Sequence, residues 1–264
     1  MAWLSGSTTN SGLINNLVSN NLIRSPIVKE AMLKTDRLHY MPRTSSGSLS
    51  KSNASHREAY DDSPQRIGHG ATISAPHMHA LLADLLVPFL NPAAADRAPA
   101  GLEATAKDKT PTSLGTGCGK VLDIGSGSGY LLSVLFRAGA SQAIGVEHIS
   151  ELVDISKANI RRDGLADDLD RSTVQVHCGD GRLGYPALGP YSAIHVGAAA
   201  DGDVPQPLLD QLASPGRIVC PVQNLSGDQQ IIQITRDEDG NMTREALMGV
   251  RYVPLCDEQS QRGY

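Results

Sequence analysis

Val121-Leu122-Asp123-Ile124-Gly125-Ser126-Gly127-Ser128-Gly129 is an apolar run that breaks into alternating glycines, and helical periodicity resumes at about residue 129. A strand that enters such a loop and leaves into a helix turns sharply. No side chain then obstructs a nucleotide-like ligand at the carboxyl edge of a sheet. In a dinucleotide site the third glycine comes three residues after the second, because the pyrophosphate rests on the helix N-terminus. Here the spacing is G-x-G-x-G, with Asp123 two positions ahead of the loop. A carboxylate there repels phosphate and suits an ammonium or sulfonium. The loop therefore favours S-adenosylmethionine over NAD, and methyl transfer over hydride transfer.

Working outward, short apolar segments alternate with helical ones from residue 120 onward. Strands are expected at 120–124, 143–146, 174–177, 192–196 and 217–221, then at 230–235 and 250–255. Helices fit at about 129–138, at 151–163 behind a Ser150 cap and before Gly164, and at 206–214. Strands taking turns with helices imply a Rossmann-like, doubly wound, mostly parallel sheet. The last two strands are expected to form an antiparallel hairpin at its edge. Glu147 closes the second of these strands, 22 residues beyond Gly125, where ribose hydroxyls find a bidentate acceptor. Asp180, in His177-Cys178-Gly179-Asp180-Gly181, closes the third and could accept from an adenine amino group. The alternative for each acid is a cap on the helix that follows.

Upstream, Leu13, Ile14, Leu17 and Val18 make a helical stripe, and Ser25-Pro26 is a cap and first-turn pair opening a second helix. Met78, Leu81, Leu82, Leu85 and Leu86 mark a helix near 76–90. Residues 44–58 and 91–119 are polar or Ala/Pro/Gly-rich and read as mobile insertions. The organisation expected is an N-terminal helical cover and active-site segment over 1–90, an insertion over 91–119, and a cofactor-binding core with a C-terminal extension over 120–264.

The chain has 264 residues, 40% of them hydrophobic, enough for one substantial core. A net charge of -5 exerts no overall pull on a nucleic-acid backbone, so nucleic acid is not an expected partner. Cys118, Cys178, Cys220 and Cys256 are spaced neither as a disulfide framework nor as paired metal ligands; they read as reduced thiols, and no metal is expected. The N-terminus lacks a secretory pattern and no apolar run of membrane-spanning length appears, so a cytosolic protein free of membranes is expected. The sequons at Asn53, Asn224 and Asn241 are discounted on the same ground. With no obvious exposed apolar stripe, a monomer is the expectation.

Asp62-Ser63-Pro64-Gln65 and Ala71-Thr72-Ile73-Ser74-Ala75-Pro76-His77-Met78-His79 make the reading specific. With Thr35-Asp36-Arg37, His39-Tyr40, the loop at 122–129, Gly179 to Tyr185, Ala193 to Ala200 and Tyr252-Val253-Pro254-Leu255, the chain outside the two insertions resembles the protein-L-isoaspartate O-methyltransferases, which repair isomerised aspartyl residues. The resemblance implies a class I S-adenosylmethionine-dependent methyltransferase fold and a substrate of L-isoaspartyl (and D-aspartyl) residues in damaged proteins and peptides. It also implies that Ala71, Thr72, Ile73, Ser74 and His79 line the site, with Ser74 in the active-site serine position. By the same resemblance Gly125, Ser126, Gly127, Glu147, His148, Asp180 and Gly181 contact the cofactor, and Cys256 and Gln261 close over it. Cys256 stands where the family often has a threonine and is a poorer hydrogen-bond former. Arg251 stands where an apolar residue is expected near the peptide groove.

The chemistry asks little of the enzyme. A substrate carboxylate with a pKa of about 4 is already ionised and is itself the nucleophile toward the sulfonium methyl. Alignment in a site that excludes water supplies the rate, and proximity alone can contribute roughly 7–11 kcal/mol. Ser74 reads as a positioning donor, or as a helix cap before Pro76, or both. No Asp-His relay is evident beside it. His77 and His79, two apart on a helix, point to different sides and cannot share a metal. A methyl ester is a better leaving group than the free acid, so the neighbouring backbone nitrogen closes a succinimide unaided, and spontaneous hydrolysis completes the repair. The rivals weighed are a methyltransferase for small molecules or RNA, disfavoured by the acidic charge and the T-I-S-x-P segment, an NAD-dependent dehydrogenase, and a non-catalytic cofactor-binding module.

Overall fold

The N-terminal stripe folds as α1 (Asn10–Ser19), which buries Leu13, Ile14 and Leu17, and Thr9 caps it by accepting from the Gly12 amide. α2 (Pro26–Lys34) opens as expected: Ser25 Oγ accepts from the Ile27 amide and Pro26 occupies the first turn, where its missing N–H costs nothing. The computed structural model describes residues 5–42, 58–91 and 119–262. Nearly all of both expected insertions, and Cys118, lie outside the described residues. After 58 the chain forms a hairpin the periodicity did not reveal, β1 (Gln65–Gly68) against β2 (Ala71–Ile73). Its loop residues His69 and Gly70 have φ of 51° and 73°, matching a two-residue reversal with the right-handed twist of strands. α3 (Pro76–Leu86) then fills the expected helix and passes into a single 3-10 turn, Val87–Phe89.

The core is an eight-stranded sheet. β3 (Lys120–Ile124) leads through α4 (Tyr130–Arg137) to β4 (Gln142–Glu147), and α5 (Ser150–Ile160) and α6 (Ala166–Asp170) lead to β5 (Val174–Cys178). The chain then crosses to the other side of β3 with β6 (Tyr191–Val196), β7 (Ala200–Asp201), α7 (Gln206–Asp210) and β8 (Leu212–Gln223). The parallel order is β5-β4-β3-β6-β8, and β9 (Gln229–Arg236) and β10 (Met242–Val250) extend it antiparallel beyond β8. α8 (Glu258–Arg262) follows. This is the doubly wound, mostly parallel sheet with an antiparallel edge that the alternation of elements predicts.

Strand side chains alternate faces. Leu122, Ile124, Ile144, Val146, Ile194 and Val196 pack on one face; Val121, Ala143, Val174, Val176 and Ala193 pack on the other with the N-terminal helices. Asp123 and His195, partners in the β3–β6 register, belong to that second face. They sit where the strand order reverses, the position at which doubly wound sheets bind ligands.

Three boundary expectations are corrected. The last strand is Met242–Val250; residues 251–257 are irregular, and the apolar side chains that suggested a strand at 250–255 instead cross the carboxyl edge of the sheet, with a lone bridge between Ala199 and Pro254. The helix expected at 206–214 stops at Asp210, because Leu212 already pairs with Tyr191. Ser150 does not cap α5: the helix begins at Ser150, the capping position is Ile149, and Ser150 Oγ bonds Glu151. Beyond Ile160 a π turn, Arg161–Leu165, kinks at Gly164.

Candidate active site

The loop after β3 is pinned to β4 by the Gly125 and Ser126 amides, which donate to the Val146 carbonyl at 2.8 and 3.2 Å. Gly125 and Gly127 have φ of 68° and 50°, so the turn needs residues without a Cβ penalty. Glu147, buried at the end of β4, accepts from the Gly127 amide through Oε2 and from the Ile149 amide through Oε1, both at 3.1 Å. One carboxylate thus joins the loop to the start of α5 and doubles as the helix-start acceptor that Ser150 is not. At the end of β6, a Cβ on Gly197 would lie 3.0 Å from the Gly125 carbonyl oxygen and 3.1 Å from that of Ile124. The two strand ends therefore approach so closely that a Cβ there would have to push backbone aside by a few tenths of an ångström.

A two-lobed cleft opens around this junction, and Thr72, Gly125, Gly127 and Gly197 line both lobes. The first lobe runs past Ala71, Glu147, His148 and Gly181 and is roofed by Val253 to Cys256 and Gln261. The roof is tied down by backbone bonds, Ala199 N–H to the Val253 carbonyl at 2.8 Å and Leu255 N–H to the Ala199 carbonyl at 2.7 Å. Gln261 straps it further: Oε1 lies 2.6 Å from His148 Nε2, and Nε2 donates to the His69 carbonyl at 3.0 Å. Cys256 is half-buried, and burial and Asp257 raise its thiol pKa, so it is present as S–H. Asp180 realises the capping alternative: Oδ1 accepts from the Arg182 amide at 2.9 Å, and the carboxylate pairs with the Arg182 guanidinium, which holds it below the usual range.

The second lobe is lined by Ile73, Ser74, His79, Asp123, Ser126, Ser128, Tyr130 and His195. Ser74 is not a cap: the capping position of α3 is Ala75, and the first-turn amide of His77 is satisfied instead by Asp62 Oδ1 at 2.9 Å. Its carbonyl accepts from Arg37 at 2.8 Å, and its side chain is set beside Tyr252, whose phenol burial pushes up to about 12. Asp123 Oδ1 lies 2.7 Å from His195 Nδ1, both groups buried. A carboxylate only accepts, so the proton of that bond is on Nδ1. An Asp-His pair therefore does share the lobe with Ser74. It does not form a relay with Ser74, because His195 Nε2 bonds no group among the described residues. His77 turns away and bonds Asp62 at 2.8 Å, while His79 is buried against Arg37 and Tyr130, so the two histidines diverge as their spacing requires.

Sequence reasoning missed the structural part of this neighbourhood. Asp163 binds Arg137, His39 and Tyr40 together, with 2.8 Å to His39 Nδ1 and 2.8 Å to the Tyr40 hydroxyl, and so fastens the N-terminal segment to α4 and to the π turn after α5. The His39-Tyr40 pair was visible; its partner more than 120 positions away was not. Among the described residues no group of three or more His, Cys, Asp or Glu is placed to hold a metal ion, and no helix is long and apolar enough to cross a membrane.

Comparison with known proteins gives a consistent result. Residues 8–95 and 113–260 match the family described as protein-L-isoaspartate(D-aspartate) O-methyltransferase. The chain is 38% identical over 263 residues to the protein-L-isoaspartate O-methyltransferase of Caenorhabditis elegans, covering 99% of this chain and 98% of the relative. It is 37% identical to that of Triticum aestivum over 98% of this chain and 96% of the relative. A Plasmodium falciparum chain described as a protein-L-isoaspartate O-methyltransferase, crystallised in complex with S-adenosyl-L-homocysteine, superposes with a TM-score of 0.72 at 29% identity, covering 94% of this chain and 98% of that one.

Proposed function

The chain belongs to the protein-L-isoaspartate(D-aspartate) O-methyltransferase family, and on that premise we propose a division of labour in its cleft: the first lobe holds the adenosine of S-adenosylmethionine, and the second brings its methyl end and the substrate together at Ser74. The protein is an S-adenosylmethionine-dependent carboxyl methyltransferase that acts on isoaspartyl residues of proteins and peptides. The observation that carries the division of labour is the junction at Thr72, Gly125, Gly127 and Gly197, common to both lobes, with Glu147 on one side and Ser74 on the other.

The residues present fit the cofactor. Glycines keep side chains out of the turn, and Glu147 already holds two backbone donors at the position where ribose hydroxyls are gripped. Asp123, acceptor-only and buried, suits an ammonium. In this reading His148, Gly181 and Asp180 surround the adenine end. Ala71 to Ser74 and His79, with Ser126, meet the amino-acid end, and Cys256 and Gln261 close the roof. When bound, the cofactor supplies an electrophilic methyl group. Ser74 orients the substrate carboxylate, and no residue has to take a proton, because that carboxylate arrives ionised. The roof at 253–256 and the N-terminal segment exclude water, which keeps the nucleophile unsolvated and aligned. Residues 1–90 act as the cover and active-site segment for the core at 120–264. The enzyme works on its substrate as a cytosolic monomer.

The test is a labelling assay with radioactive S-adenosylmethionine and two peptides differing only in L-isoaspartate against L-aspartate. Label is expected on the first alone. Equal labelling, or none, refutes the reading.

A further inference from the structure

Among the described residues the largest side chain with no exposed surface is Arg37. No carboxylate among the described residues lies at ion-pair distance from it: Asp62, whose field reaches it, gives Oδ1 to His77. Its own contacts are few. Nη2 donates to the Ser74 carbonyl at 2.8 Å, Nη1 meets His79 Nδ1 at 3.4 Å, the Tyr130 ring lies 5.5 Å from Cζ, and Nε has no partner among the described residues. Burial lowers its pKa to about 10, which leaves it cationic at neutral pH. A buried charge without a paired counter-charge is costly and is retained where something else uses it. Here the guanidinium backs onto two residues, and both line the second lobe.

The contact with His79 also decides a proton position. Guanidinium only donates, so His79 Nδ1 must accept. Burial first, then Arg37, His195 and His77, push the His79 pKa well below the ordinary value, so the ring is neutral. A neutral imidazole that accepts at Nδ1 carries its proton at Nε2. The two histidines of the lobe thus have opposite arrangements: His195 spends its Nδ1 proton on Asp123, and His79 keeps its proton at Nε2. One wall of the lobe is acceptor-rich at Asp123, and the other is donor-rich with a cation behind it.

We propose that Arg37 is a positioning residue for a carboxylate held in this lobe: it fixes His79 as an Nε2–H donor, fixes Ser74 through its carbonyl, and places positive charge behind both. The inference rests on the function proposed above, which brings two carboxylates to the cleft, the amino-acid end of the cofactor and the isoaspartyl substrate.

The first measurement needs no variant. Long-range proton–nitrogen NMR on the full chain with labelled histidine is expected to show His79 as the Nε2–H tautomer, unprotonated through the range near pH 6.5 where an ordinary histidine titrates. A His79 with its proton on Nδ1, or charged at neutral pH, overturns the proposal. The second compares Arg37→Met and Arg37→Lys with the parent in calorimetric binding of S-adenosylhomocysteine and of 5′-methylthioadenosine, which lacks the amino-acid end, and in KM for an isoaspartyl peptide. Losing a charge-assisted donor set is expected to weaken one carboxylate ligand by roughly tenfold to a hundredfold, with lysine restoring part. Weaker S-adenosylhomocysteine with unchanged 5′-methylthioadenosine assigns the carboxylate to the cofactor; a raised peptide KM with unchanged S-adenosylhomocysteine assigns it to the substrate. Equal weakening of both nucleosides, or no change in any of the three, overturns the proposal. If Arg37→Met does not fold, Arg37→Lys and the parent tautomer decide it. A parent enzyme that labels neither peptide refutes the isoaspartyl reading while the tautomer and S-adenosylhomocysteine measurements still decide the role of Arg37.

Discussion

Ser74 has no structural duty at the start of α3, because Ala75 takes the capping position without any side-chain bond. Ser74→Ala should therefore leave the unfolding free energy within about 0.5 kcal/mol. Turnover should fall by roughly tenfold to a hundredfold, the worth of a donor to a charged group, with cofactor affinity changing far less. Steady-state kinetics with calorimetric cofactor binding checks the split; unchanged turnover would remove Ser74 from the chemistry. His79 makes a second residue-level prediction. The unfolded chain takes up its proton below about pH 6.5, whereas the folded chain keeps it neutral to well lower pH. The unfolded state then binds the extra proton, so stability falls as pH drops below about 6.5, at up to roughly 1.4 kcal/mol per unit until the folded group titrates. Asp84 works the other way: burial raises its carboxyl to about 6, so the fold holds that proton and gains stability as pH falls toward about 4. The comparison must therefore be differential. Denaturation curves of the parent and His79→Gln should diverge below about pH 6.5, with the variant losing less stability toward acid; parallel curves would mean that His79 takes up its proton equally in the folded and unfolded chain, against the neutral ring.

Elements at the cleft differ in how legible they were, and the reason is what each buries. β3, β4 and β6 are covered on both faces, so they appear in sequence as largely apolar runs. β5 at the sheet edge, VQVHC, instead shows the alternation of a strand buried on one face, with Val174 and Val176 inside and Gln175 and His177 half-buried. β10 is exposed along almost its whole length and exists because β9 pairs with it, from Met242 opposite Arg236 to Val250 opposite Gln229. Its sequence, MTREALMGV, carries no core-facing alternation to read. The apolar residues just beyond it mislead for a functional reason, since Val253 and Leu255 roof the first lobe. Within the site, the glycine loop and Glu147 followed from local pattern, and Ser74 from resemblance. The Arg37–His79 and Asp123–His195 contacts join positions 42 and 72 residues apart, and no local period encodes such pairings. α8 offers a test of its own. Gln261 bridges His148 and the β1–β2 loop, and Arg262 pairs with Glu151, all in exposed or half-buried positions. Gln261→Ala should leave Tm nearly unchanged but raise the S-adenosylhomocysteine dissociation constant several-fold, at about 1 kcal/mol for the lost bonds, chiefly through faster release. Stopped-flow dissociation measures this; an unaltered release rate would make α8 a bystander.

At the scale of the molecule, the cleft is assembled from three stretches of chain: the segment at 71–79, the strand ends and loops between 123 and 197, and the tail at 253–261. The tail is bonded at the carboxyl edge of the sheet, by the Leu255 amide to the Ala199 carbonyl, and to the β1–β2 loop that precedes the first stretch, by Gln261 Nε2 to the His69 carbonyl. A ligand filling both lobes contacts all three, so its binding energy should couple them. At a hundred times its dissociation constant, S-adenosylhomocysteine adds about 2.7 kcal/mol to the folded state, which for a chain of this size raises Tm by roughly 5–10 °C. That rise alone would also follow from binding to the glycine loop only. Hydrogen exchange separates the two cases, because amides open locally with the free energy of their own unit. If the ligand joins the three stretches, the amides of Ala199, Leu255 and Gln261 should slow together with those of Gly125 to Gly127. Protection confined to the loop and the end of β4 would show that the tail and the 71–79 segment do not share the ligand, and the two-lobed assignment would then fail.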